Sequence, residues 1–256
     1  MNTSIIDEIK SDTLEELASR RKALISFGKL GAGLVLGSLP ITLALASQSA
    51  YARQGGAPAD VAEVLNYALK LEYLERNFYQ RGTNASGLIN SADMVIFNQI
   101  RKHEEQHVTL LVGAIQAMGA QPIAEPNFNY TKNFPDIFTN YQTFLTVAQA
   151  FEDTGVRAYK GRGAELFMLN KDVLTTALRI HSVEARHAAM VRRLRGLKGW
   201  IESDTAAANL VPAAAAAVYA GEMDMTPLAG VTVQRHAAYD EPLTPTQVNA
   251  IVSLFE

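Results

Sequence analysis

Apolar side chains return every three or four residues along two early stretches of this chain. Leu65, Leu69, Tyr73 and Phe78 form one stripe, and Phe97, Ile100, Val108 and Leu111 form the next. That period predicts two amphipathic helices. Asp60 followed by Glu63 supplies a start signal for the first, and Gly119 a stop for the second. Gly82-Thr83-Asn84-Ala85-Ser86-Gly87 and then Asn90-Ser91 read as the turn between them. Residues 120–136, with Pro122, Pro126, Pro135 and several Asn, read as a long crossover. A further helix is expected to end between Gly196 and Trp200. The remainder, Ile201 to Glu256, is alanine-rich around Pro212 to Ala220 and then irregular. Near its end Thr244-Pro245-Thr246-Gln247 precedes Val248, Ile251 and Leu254. This is a capping box with proline at the first helical position, which predicts a short final helix covering part of the fold or a neighbouring subunit.

A duplicated set of polar residues fixes how the long helices pair. Glu72, Tyr79, Glu104 and His107 recur eighty positions on as Glu152, Tyr159, Glu184 and His187. Each half reads E-x6-Y, then E-x-x-H, with 32 residues between the first Glu and the second. On a helix, positions i and i+3 lie about 60° apart and roughly 4.5 Å along the axis, so each Glu-x-x-His can hold one ion. Positions i and i+7 nearly align, placing each Tyr on the face of its own half's lone Glu. If antiparallel helices set Glu72 and Glu104 at equal depth, the turn centres near residue 88, where the turn residues lie. The second half predicts a turn near 168, bracketed by Gly161, Gly163 and Asn170. Four carboxylates in one apolar core would repel strongly unless cations neutralised them. A Glu from each of two helices with a Glu-x-x-His from each of the other two is the donor set for two metal ions in a four-helix bundle. The expected fold is all-α: two helical hairpins joined by one long crossover, plus the short C-terminal helix.

Around that set the sequence leaves several roles open. Tyr79 and Tyr159 are the candidate catalytic residues, acting in redox chemistry or orienting ligand carboxylates; the alternative is a core aromatic with its hydroxyl on a carboxylate. Glu75 is an extra ligand or a salt-bridge partner. Arg76 and Arg157 follow the two lone Glu residues and could balance site charge. His103 reads as a support for the ligands or a surface residue, with Val183 at its duplicate position, and His181 as the edge of the site. Asp153 should point away from it. Met168, Met190, Met223 and Met225 read as core or tail packing, and His236, Asp240 and Glu241 as surface.

Composition narrows the functions. The chain has 256 residues, no cysteine and a formal net charge of −3. Iron–sulfur clusters, rubredoxin-type centres and thiol catalysis are therefore excluded, no Gly-rich phosphate loop occurs, and a nucleic-acid partner is not expected. Residues 1–52 read as an export signal. Arg20-Arg21 precedes a moderately apolar stretch from Ile25 to Leu45, and Ala50-Tyr51-Ala52 offers a cleavage site. Paired arginines ahead of a weak apolar segment look like a twin-arginine signal, read by the twin-arginine export machinery. The expected location is periplasmic or secreted, or membrane-anchored if the signal stays uncleaved. Residues 53–200 then form the bundle and 201–256 a C-terminal extension.

From about Asp60 to Trp200 the chain resembles the ferritin-like superfamily of di-iron and di-manganese carboxylate proteins. Leu65-Asn66-Tyr67-Ala68-Leu69-Lys70-Leu71-Glu72-Tyr73-Leu74-Glu75 and Tyr239-Asp240-Glu241-Pro242-Leu243-Thr244 resemble its exported bacterial members, a group that includes desiccation-related proteins. The resemblance implies metal ligation by Glu72, Glu104, His107, Glu152, Glu184 and His187. Two departures stand out. Rubrerythrins share E-x6-Y but deliver electrons through a cysteine-bound iron that this chain lacks. Manganese catalases usually lack the Glu that this chain carries as Glu184. The expected function is an exported protein with two Fe or two Mn ions acting on O2 or H2O2 as ferroxidase, peroxidase or catalase. The alternative is a non-catalytic stress or desiccation-type envelope protein with a structural or vestigial metal site. Iron storage in a hollow shell is a third idea, and the sequence leaves a homo-oligomer open.

Overall fold

A computed structural model describes residues 61–201, 213–219 and 240–256. Residues 1–52, read as an export signal, and Asp60, Met223, Met225 and His236 lie outside the described residues. Four long helices are α1 (Val61–Asn84), α2 (Ser91–Ala117), α3 (Tyr141–Leu169) and α4 (Lys171–Leu194). α1 packs on α2 and α3, and α4 packs on α3 and α2. This is the expected pair of hairpins, and no strand occurs among the described residues. No helix among them is long and apolar enough to cross a membrane.

Asparagine starts three of the four helices. Asn90 accepts from the Asp93 N–H, Asn140 from Gln142 and Thr143, and Asn170 from Asp172 and Val173. Each side chain thereby satisfies N–H groups that have no partner within the helix. The first break spans residues 85–90 and straddles the predicted centre at 88. The second is Asn170 alone, two residues beyond 168. Gly82, Gly161 and Gly163 are helical rather than turn residues. Both glycine stops act as expected. After α2, Gly119 takes φ +75° and the Ala120 N–H reaches back to Ile115 O at 3.1 Å. After α4, Gly196 takes φ +73° and Leu197 reaches Arg192 O at 2.9 Å. Only glycine enters this left-handed turn without penalty.

The predicted stripes are all buried, and the end of the bundle beside the first turn is aromatic. Phe78 stacks on Phe144 with centroids 4.6 Å apart, and Phe97, Phe151 and Tyr79 surround the pair. Gly82 is required here, because a Cβ would lie 2.2 Å from the Phe144 ring. The crossover is irregular, as expected, and lies on α1: Tyr130 donates to Leu74 O at 2.6 Å, while Phe128, Tyr130, Phe134 and Ile137 are buried.

α3 is buried on nearly all sides, so something must cover the face turned away from the bundle. The C-terminal extension does so. A 3-10 turn (Ala213–Tyr219) and the final helix α5 (Pro245–Val252) both pack on α3. α5 carries the expected capping box between Thr244 and Gln247. Phe255 stacks on Phe134 of the crossover, and the Asn129 N–H donates to Phe255 O at 2.6 Å. Arg157 lies on this outer face, donating to Glu241 O at 2.5 Å and to Val218 O. Its expected place at the site is therefore corrected, as is that of Arg76, which pairs with Glu125 of the crossover. Met168 and Met190 are exposed rather than packed.

Gly161 marks where the returning chain presses on α3, because a Cβ there would lie 2.1 Å from Leu243 O. Backbone cannot swing aside as a side chain can. Gly161→Ala is expected to cost about 1–3 kcal/mol through overpacking. It should also free the Leu243 N–H, which now bonds Arg157 O at 3.1 Å. Hydrogen exchange at Leu243 is the readout, and unchanged protection there would contradict this contact.

Candidate metal centre

All six predicted ligands meet in the middle of the bundle, and all are buried. Glu72 comes from α1, Glu104 and His107 from α2, Glu152 from α3, and Glu184 and His187 from α4. They form two overlapping groups: Glu72, Glu104, His107 and Glu184, and Glu104, Glu152, Glu184 and His187. Within each group one donor atom per residue lies within 4.8 Å of the others. Glu104 and Glu184 belong to both. His107 Nδ1 lies 3.1 Å from Glu72 Oε2, 3.1 Å from Glu104 Oε2 and 3.2 Å from Glu184 Oε1. His187 Nδ1 lies 3.1 Å from Glu104 Oε1 and 3.2 Å from Glu152 Oε2. The two halves thus mirror each other about an axis between the two Glu-x-x-His helices.

The tyrosines cross that axis. The Tyr79 hydroxyl donates to Glu152 and the Tyr159 hydroxyl to Glu72, so each braces the lone Glu of the opposite half. The sequence placed each beside its own half's Glu; a two-turn separation on one helix is spanned instead by the neighbouring helix. Burial and the adjacent carboxylates raise both hydroxyls well above the ordinary tyrosine range, so both keep their protons to donate.

His103 supports His187. Its Nδ1 lies 2.8 Å from His187 Nε2, its ring stacks on that imidazole at 5.1 Å, and its Nε2 meets Gln99. An imidazole held at one nitrogen presents the other in a fixed direction, which is how supporting residues orient metal-binding histidines. His181 does not border the site: its Nδ1 faces Val156 O at 3.0 Å. Asp153 points away, as expected, into a buried network. Arg192 contacts both of its carboxylate oxygens at 2.5 Å, and Tyr219 of the C-terminal extension donates to it at 2.6 Å. No spacing in the sequence links these three, although an Asp and an Arg on apolar helix stretches were a signal of pairing.

The electrostatics favour cations. Burial alone would push Glu104 up, but hydrogen bonds from both imidazoles pull it down to about 2. Glu184 is raised well above the carboxylate range by burial and then by Glu104 and Glu72. Glu184 Oε2 is buried without any partner, and Glu104 Oε1 and Glu184 Oε1 face only an imidazole nitrogen, at 3.1 and 3.2 Å. Orphaned carboxylate oxygens at the centre of a core cost free energy unless something positive coordinates them. Four carboxylates and two imidazoles, with no sulfur, suit two ions of iron, manganese or zinc.

Protons occupy the donors until an ion arrives. Burial opposes a charged imidazole, but the hydrogen bonds that His107 donates to Glu104, Glu184 and Glu72 outweigh it and raise His107 far above its ordinary value. The Glu152 charge and the hydrogen bonds that His187 donates to Glu104 and Glu152 overcome burial likewise and lift His187 to about 11. Each ion must then displace an imidazole proton, because a protonated imidazole cannot ligate. Affinity should therefore strengthen with pH, by about tenfold per pH unit for each proton released. Calorimetry in buffers of different ionisation heat counts these protons; metal uptake with no proton release would contradict the assignment.

An apolar cavity of about 260 Å³ opens between the four helices on the side of the second turn. Leu65, Leu71, Leu111 and Val173 form walls, and Tyr159 lies at its lining.

The arrangement has a match among known families: the model of a ferritin-like domain matches residues 60–197. No curated protein matches the chain. Helix order, paired hairpins, the central carboxylate and histidine cluster and this match agree, and the chain belongs to the ferritin-like domain family.

Proposed function

We propose that this protein is an exported dinuclear iron or manganese protein that reacts with O2 or H2O2. The observation that carries this reading is the pair of overlapping four-donor groups sharing Glu104 and Glu184. In this assignment Glu104 and Glu184 would be shared by the two ions, Glu72 with His107 would hold one, and Glu152 with His187 the other. Two redox ions so placed supply between them the two electrons that O2 or H2O2 takes up.

The chain's own residues do the rest. Tyr79 and Tyr159 hold Glu152 and Glu72 by one oxygen, and the other oxygen of each faces His187 or His107 within the site. His103 fixes His187. Phe97, Ile100, Val108 and Leu111 exclude bulk water around the Glu-x-x-His of α2. The apolar cavity at Tyr159 suits a small uncharged oxidant better than an anion. Arg20-Arg21 and the Ala50-Tyr51-Ala52 box support export through the twin-arginine route, with function in the periplasm or outside the cell.

Turnover of H2O2, and of Fe(II) with O2, by metal-loaded protein tests the reading. Activity that disappears with Glu104→Gln is the expected result. Metal-loaded protein inert in both assays would favour the non-catalytic envelope role.

A further inference from the structure

The two halves of the site differ at one inward position. Three residues after the lone Glu, α1 carries Glu75 and α3 carries Gly155. Glu75 is 3% exposed, buried beside Glu184. A Cβ built on Gly155 would lie 3.4 Å from Glu75 Oε1 and 3.1 Å from Glu184 Oε2. The space that Gly155 leaves is therefore the space into which Glu75 reaches, beside one of the shared carboxylates. A carboxylate buried beside another carboxylate must either keep its proton or gain a positive partner.

We propose that Glu75 is a seventh protein donor to the dinuclear site, reaching an ion through the gap at Gly155 and making the two metal positions unequal. The proposal rests on the dinuclear reading. It assigns Glu75 to the ion held by Glu152 and His187, because Gly155 lies one turn after Glu152 on α3. The same position already has the braced histidine, since His103 supports His187 and the matching Val183 gives His107 no counterpart. Charge follows the same direction: four carboxylates offset two divalent ions, and a fifth offsets one further positive charge when the pair is oxidised.

Zn(II) titration of the metal-free full chain against a chromophoric chelator tests this without any turnover. Wild type should bind two ions. Glu75→Gln keeps the side chain's shape but not its anionic oxygens. It should weaken one of the two affinities by about tenfold or more while leaving the other within a few-fold. Its helical circular dichroism should match wild type. A second variant, Glu75→Gly with Gly155→Glu, moves the carboxylate to the opposite half and should return two affinities like those of wild type, the added donor now serving the ion held by Glu72 and His107. Glu75→Gln binding both ions as wild type does would overturn the proposal, and so would a swap that fails to restore what Glu75→Gln loses. Wild type that binds no Zn(II) would overturn the dinuclear reading itself, a result distinct from either.

Discussion

Replacing both shared carboxylates, Glu104→Gln with Glu184→Gln, should leave the protein with neither metal ion. Each belongs to both four-donor groups, so their loss reduces each group from three carboxylates and one histidine to one of each. Two ligands cannot hold a divalent ion that needs four or more. Metal content should fall from about two ions per chain to near zero, as measured by elemental analysis. Helical content should remain, because amides fill nearly the same volume and the apolar core is untouched. Losing one terminal carboxylate, by Glu72→Gln or Glu152→Gln, should weaken one position and spare the other. Retention of two ions by the double variant would place the metal elsewhere.

The largest stability loss is expected from Arg192→Ala. Asp153 is 2% exposed and Arg192 5%, and the guanidinium meets both carboxylate oxygens at 2.5 Å. Burial already pushes the Asp153 carboxyl up despite the Arg192 charge. Removing the cation strands that carboxylate, a loss of about 3–5 kcal/mol for a buried pair. For a chain of this size that lowers Tm by on the order of 10 °C. The double change Asp153→Ala with Arg192→Ala removes both charges and should recover part of the loss, giving a coupling energy of about 1–3 kcal/mol. Tyr219 also donates to Asp153, so Arg192→Ala should loosen the C-terminal extension as well. A Tm within about 2 °C of wild type, equivalent to less than about 1 kcal/mol, would show that the pair adds nothing.

What the sequence disclosed and what it hid divide along physical lines. Helix periodicity and the duplicated Glu-x-x-His are local patterns, and the fixed interval from Glu72 to Glu104 located the first turn because antiparallel helices share one rise per residue. Gly119, Gly196 and the Thr244–Gln247 box act through backbone geometry within a few residues, so they too were legible. Gly161 and Gly163 read as turn residues from their weak helix propensity, yet both lie within α3, and at Gly161 the returning Leu243 packs against the helix. The partners of Arg76, Arg157 and Asp153 lie 49, 84 and 39 residues away, in segments without periodicity or on another helix, where no spacing rule reaches. The tyrosine crossing was hidden for the same reason. Glu75 stood out as an acidic residue on the site's face, but only the gap at Gly155 shows where its carboxylate goes.

The central claim is that Glu72, Glu104, His107, Glu152, Glu184 and His187 hold two metal ions. Its most direct test is the metal content of the protein, purified without chelator from cells supplied with both iron and manganese. About two Fe or two Mn per chain is the expected result. No bound metal, with none taken up from anaerobic Fe(II), would contradict it.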